Sequence, residues 1–242
     1  MTAALLDTWR ESSIPPRLEP GEVSVWRIDV RECEDAEWLA SSLVADERAR
    51  AERFRHRMAR EHFVAGRGAL RQLLGALLHM EPARVPLVAA ASGKLSCPGG
   101  PGFSVAHSGG LVLVALAMGA EVGVDVERIE ARTNLAQVVS RMFTEREAAA
   151  LARARTGEGE AAERLAFFQL WTLKEAVLKA DGRGLSLAMS SFEVIGDVAL
   201  VGSRKFFAVG VPLTEGFAAA VATSVRSRLH LLRFPCNGCG SA

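Results

Sequence analysis

The segment from Phe167 to Leu187, FFQLWTLKEAVLKADGRGLSL, restricts the fold of this chain more than any other. At 3.6 residues per turn Ala166, Leu170, Leu173, Val177 and Ala180 share one stripe, as a helix burying a single face requires. Gly182 and Gly184, followed by Leu185-Ser186-Leu187, end that helix. A second stripe, about 100° away, carries Trp171, Glu175 and Lys179. A Glu and a Lys four apart are commonly an exposed salt bridge worth about 0.3 kcal/mol. The alternative, a polar face turned toward a ligand, needs another acidic group elsewhere in the chain to meet it.

Such a group stands in GVDVE. The two-residue period of a strand puts Val122, Val124 and Val126 on one face and Gly123, Asp125 and Glu127 on the other. Two carboxylates side by side repel, and the arrangement becomes favourable when a divalent cation lies between them. Mg²⁺ takes hard oxygen ligands, commonly one or two carboxylates plus substrate phosphates. Arg128 offers the competing explanation, simple neutralisation of the pair. Upstream, FSVAHSGG and LVLVALA read as strands, the second apolar throughout and so buried on both faces.

The remainder is organised around these pieces. Residues 1–20 carry Pro15, Pro16 and Pro20 without periodicity and read as an irregular lead-in. Residues 22–30 alternate as a strand, and helical periodicity runs from Ala36 to Leu78. Within it six arginines, Arg48, Arg50, Arg53, Arg55, Arg57 and Arg60, form a local positive patch. It is either a solvated helix face or a phosphate-binding edge, for which Arg has bidentate geometry. Gly93-Lys94 sits in a Gly, Ser and Pro-rich loop, as a turn or as a close approach to phosphate. Residues 132–151 read as helical, with Thr144 and Glu147 as a capping box, and 156–160 as a linker. Short β-like segments follow at 191–194, 199–201, 206–211 and 217–222, with a last strand at 229–234. The apolar strands at 111–117 and 217–223 echo each other, which suggests two similar α+β halves.

Formal net charge of the 242 residues is +1, with 49% hydrophobic and 24% charged residues, so no global field argues for nucleic acid. Neither a signal peptide nor an apolar run of about 20 residues is found, and the expected setting is cytoplasmic, without a membrane partner. Four cysteines are too few and scattered for a disulfide scaffold. Cys236 and Cys239 have metal-like spacing but lack a second ligand pair, and no role is assigned to them.

In order and spacing, FSVAHSGG, GVDVE, FTEREAAAL and WTLKEAVLKADGRGLSL resemble the 4′-phosphopantetheinyl transferases of the surfactin-activator type, over roughly residues 45–225. The resemblance implies an α+β pseudo-dimer of two similar α/β halves in one chain, with the active site between the halves. The expected parts are a lead-in at 1–20, halves at 21–130 and 131–225, and a C-terminal strand and tail at 226–242. It implies Mg²⁺-dependent transfer of the 4′-phosphopantetheine arm of coenzyme A to a serine of an apo acyl, peptidyl or aryl carrier protein, by a monomer, releasing adenosine 3′,5′-bisphosphate. Asp125, Glu127 and Glu175 match the family's Mg²⁺ ligands, Lys179 a lysine that meets the phosphates, and Glu175 is also the candidate base. His107 and Lys94 match residues that contact coenzyme A, with Ser108 beside the histidine; Arg50 lies where family lysines approach the 3′-phosphate. Two departures are Leu95, where a proline is usual, and Ala106, where a serine often precedes the histidine.

Overall fold

The computed structural model describes residues 9–33, 37–90, 93–131 and 134–235. Cys236, Cys239 and the first part of the lead-in lie outside the described residues. The described residues form two compact units, one built from those up to Ala120 together with those from Ser227 onward, the other from Glu121 to Arg226.

The first unit contains strands β1 (Arg10–Glu11) and β2 (Glu22–Asp29), helices α1 (Glu37–Ser41), α2 (Ala45–Glu52) and α3 (Arg57–Leu78), and the short pair β3 (Val88–Ala89) and β4 (Leu95–Ser96). Strands β5 (Gly102–Ser108), β6 (Leu111–Ala117) and β12 (Arg228–Arg233) complete it. Its main sheet has the order β1-β12-β2-β6-β5, with β12 parallel to both neighbours and the other pairs antiparallel. Strand β6 is buried along its whole length, as its unbroken apolar run implies. Trp26 and Ile28 of β2, Val112, Val114 and Leu116 of β6, and Leu70, Leu73 and Leu74 of α3 form one core. The lead-in is not wholly irregular: β1 adds an edge strand beside β12. The single helical tract expected over 36–78 is three helices. Its breaks fall at residues 42–44 and 53–56, and in the second the Phe54 ring packs on Phe63 of α3 at 5.4 Å.

The second unit opens with β7 (Val122–Arg128), continues through α4 (Leu135–Met142), α5 (Glu145–Glu158) and α6 (Glu160–Asp181), and closes with β8 (Val194–Ile195), β9 (Val198–Val201), β10 (Arg204–Gly210) and β11 (Phe217–Thr223). All pairs in its sheet, β7-β11-β10-β9-β8, are antiparallel. The sequence alone suggests a division near residue 130; pairing of β7 with β11 puts the carboxylate strand in the second unit. The capping box forms: Thr144 Oγ1 accepts from the Glu147 N–H at 3.3 Å, and Glu147 Oε2 accepts from the Thr144 N–H at 2.9 Å. Residues 156–160 are not a loose linker, because α5 runs through Glu158 and Gly159 alone, at φ 90°, makes the turn into α6.

Each unit repeats one plan: a strand, a short helix, a 22-residue helix, then a hairpin whose second strand lies between the hairpin's first strand and the opening strand. In the first unit these are β2, α2, α3, β5 and β6; in the second, β7, α5, α6, β10 and β11. The paired apolar segments noticed in the sequence are the central strands β6 and β11. The chain is thus of mixed α+β class.

Candidate active site

Gly123 decides how closely α6 lies on β7. A Cβ built there would come 2.0 Å from the Ala176 carbonyl oxygen and 2.4 Å from the Ala180 nitrogen, both helix backbone, so no larger residue fits. Small side chains continue the contact: Ala176 and Ala180 of α6 meet Ala220 and Ala222 of β11 in one buried cluster. Opposite Gly123, Asp125 and Glu127 in the strand register stand Ala222, Ala220 and Ala218. The face that carries the carboxylates is therefore lined by residues too short to crowd them.

This approach joins the two polar stripes expected from the sequence. Lys179 Nζ donates to Asp125 Oδ1 at 2.7 Å, and Asp125 is only 5% exposed. The Glu–Lys pair on the helix is thus not an isolated surface bridge, since the lysine turns to the strand. Arg128 pairs with Glu130 at 2.7 Å. Glu175 is half-buried, and its carboxyl is pushed above the ordinary range, first by burial and then by the charge of Asp125; Lys179 partly opposes this and Glu127 adds to it. Three carboxylates therefore act on one another in a partly desolvated place. Trp171 does not share their role: it stacks on Phe167 at 5.9 Å and packs beside Phe143 at 6.3 Å.

The donor set suits Mg²⁺, being hard carboxylate oxygens whose mutual repulsion a cation would relieve. Among the described residues no three His, Cys, Asp or Glu side chains are grouped so that they could hold a metal ion by themselves. That is compatible with an ion that keeps waters and substrate oxygens in most of its shell.

The first unit carries the other candidates. His107 on β5 is exposed, and its ring stacks on His62 of α3 with centroids 4.7 Å apart and planes 23° from parallel. His62 is buried, and its Nε2 accepts the Gly110 N–H at 3.2 Å across the turn between β5 and β6. Burial, reinforced by the neighbouring His107, lowers the pKa of His62. Ser108 ends β5. Lys94 is half-buried just before β4, its carbonyl accepting from the Ala90 N–H at 2.8 Å. Arg50 is exposed on α2 with its guanidinium 5.1 Å from the Phe63 ring centroid.

Sequence reasoning missed two buried groups. His62 carries no local signal. Lys174 had one: it falls on the buried stripe between Leu170 and Val177, where a cation must have a partner.

Residues 121–222 match the family model described as the 4′-phosphopantetheinyl transferase superfamily. The chain is 36% identical over 190 residues to the 4′-phosphopantetheinyl transferase HetI of Nostoc sp., covering 75% of this chain and 78% of that protein. It is 25% identical over 163 residues to the 4′-phosphopantetheinyl transferase Sfp of Bacillus subtilis, covering 66% and 70%. Identity to the L-aminoadipate-semialdehyde dehydrogenase-phosphopantetheinyl transferase of Xenopus laevis is 27% over 172 residues, covering 65% and 56%.

Proposed function

The chain belongs to the 4′-phosphopantetheinyl transferase superfamily, and from that premise we propose that it moves the 4′-phosphopantetheine arm of coenzyme A onto a serine of an apo carrier protein. One observation carries the assignment of the chemistry to particular residues: Lys179 bonded to Asp125, beside a Glu175 whose carboxyl burial, and after it the neighbouring carboxylates, push up.

In this reaction the serine oxygen bonds to the β-phosphorus while the bond from that phosphorus to the bridging oxygen breaks. Adenosine 3′,5′-bisphosphate leaves with the electron pair, and the serine proton passes to a base. Charge grows on the bridging and nonbridging oxygens, and positioned cations are the main source of stabilisation. Lys179 supplies one such cation on a helix that Gly123 holds close to the strand. Glu175 is the base in this reading, because a carboxylate of raised pKa accepts a proton more readily near neutrality. Asp125, Glu127 and Glu175 would hold Mg²⁺, which would supply further neutralisation of the pyrophosphate. Lys94, His107, Ser108 and Arg50 are assigned to binding coenzyme A.

The repeated plan of the two units supports the pseudo-dimer reading, with one chain acting as a monomer. Among the described residues no helix is long and apolar enough to cross a membrane, and we assign the protein to the cytoplasm. Incubation with coenzyme A, Mg²⁺ and a panel of apo carrier proteins tests the function: a phosphopantetheine mass gain on at least one carrier is expected. Release of free phosphopantetheine without any gain on a carrier would instead indicate a phosphohydrolase.

A further inference from the structure

Lys174 is completely buried, and the reaction as derived does not use it. Its ammonium donates to both carboxylate oxygens of Glu147, at 2.8 and 2.7 Å, and to the Phe192 carbonyl at 2.6 Å. The Phe192 ring centroid lies 4.7 Å away and that of Phe143 5.7 Å. All three ammonium protons thus have an acceptor, and they tie α6 to the first turn of α5 and to the chain that follows α6.

The first unit contains the same device. Arg71 is the fifteenth residue of α3, as Lys174 is of α6, and Glu47 is the third residue of α2, as Glu147 is of α5. Arg71 donates to Glu47 at 2.7 and 3.0 Å and to the carbonyls of Pro82 and Val85, in the chain that follows α3, at 3.0 and 3.1 Å. The residue after the anchoring cation differs. In the first unit it is Gln72, which donates to Ser42 Oγ at 2.7 Å; in the second it is Glu175.

A buried ion pair is a poor source of stability, because desolvating both charges offsets their attraction, and apolar replacements of similar size are often as stable. What the pair does supply is direction: three short bonds fix the helix in both azimuth and height. We propose that Lys174 is a positioning residue, holding the turn of α6 that presents Glu175 and Lys179 to Asp125. The inference rests on the function assigned above. A misplacement of about 1 Å at a reacting group can cost about 100-fold in rate, so the anchor matters to turnover far more than to folding.

The test compares two double replacements in the full chain. Single variants would strand a buried charge, so Glu147→Met is combined with Lys174→Met, and Glu47→Met with Arg71→Met as the matched pair in the first unit. Melting temperature, Mg²⁺ affinity by titration calorimetry, and kcat for transfer to an apo carrier are read for each. The Glu147/Lys174 pair is expected to lose about 100-fold in kcat and about tenfold in Mg²⁺ affinity, while melting no lower than the Glu47/Arg71 pair. The Glu47/Arg71 pair is expected to keep wild-type Mg²⁺ affinity. Wild-type kcat and Mg²⁺ affinity in the folded Glu147/Lys174 variant would overturn the positioning role alone, as would equal losses of Mg²⁺ affinity in both pairs. Absence of transfer by the wild-type protein to any carrier would overturn the function and this inference together.

Discussion

Glu175 is held at a disadvantage by its own neighbours. Burial and the charges of Asp125 and Glu127 outweigh the help of Lys179, so its carboxyl takes up a proton more readily in the folded protein than in the unfolded chain. A carboxyl whose folded pKa is raised costs stability in full above that pKa, and the cost fades as pH falls from there to the unfolded value, 4.5 for Glu175. In Mg²⁺-free buffer near neutral pH, Glu175→Gln should therefore raise the melting temperature. The same change should lower kcat by about 10² to 10⁴ through loss of the base, and added Mg²⁺ should not restore it. A variant that melts lower and turns over normally would return Glu175 to an ordinary surface role. The coenzyme A contacts are separable from this chemistry: His107→Ala and Lys94→Ala should raise KM for coenzyme A more than KM for the carrier, and equal effects on both substrates would contradict the assignment. Asp125, Glu127, Glu175 and Lys179 were legible in the sequence because each pair shares one face of a regular element. His62 was not, and for Lys174 only its place on the buried stripe was, because their partners, Gly110 and Glu147, lie 48 and 27 residues away and only the tertiary fold supplies them.

At the scale of elements, the contact of α6 with β7 places the site. The sequence showed the helix, the strand and the glycine on its polar face, but not that the glycine receives helix backbone. Nor did it show that β7 leaves its apolar predecessor β6 to pair with β11, since β6 and β11 are both apolar runs, LVLVALA and FAAAVAT, and only the pairing distinguishes the sheets. Gly123→Ala tests the contact. Because the clash is with the Ala176 oxygen and the Ala180 nitrogen, neither of which is a flexible side-chain end, the helix must shift as a whole. A cost of about 3 kcal/mol, at the upper end for overpacking, is expected in denaturant unfolding. Turnover of the folded fraction should fall as well, because Glu175 and Lys179 move with the helix. Unchanged unfolding and turnover would mean that α6 is not held against the strand as described.

Across the whole molecule the near-neutral charge balance leaves the response to acid to individual buried carboxylates. Asp29 and Glu47, both held below the usual range, belong to the first unit; Glu175, held above it, belongs to the second. For Glu47, burial alone would raise the carboxyl, but the bonds from Arg71 and Arg67 and from the Val44 N–H outweigh it. A depressed pKa contributes stability that is complete above the unfolded value, 4.5 for Glu47, and is lost as pH falls through the folded value. Glu47→Gln should thus cost about 3 kcal/mol at neutral pH, since it leaves Arg71 buried without its counter-charge. As pH falls below 4.5 toward the folded value the gap to the wild type should close, because protonation of the carboxylate in the unfolded chain then removes the wild type's advantage. Denaturant unfolding at a series of pH values, followed through tryptophan fluorescence, reads this directly. A gap that stays constant as pH falls well below 4.5 would show that the Glu47 carboxylate is not the charge that holds Arg71, and that the acid response of the first unit lies elsewhere.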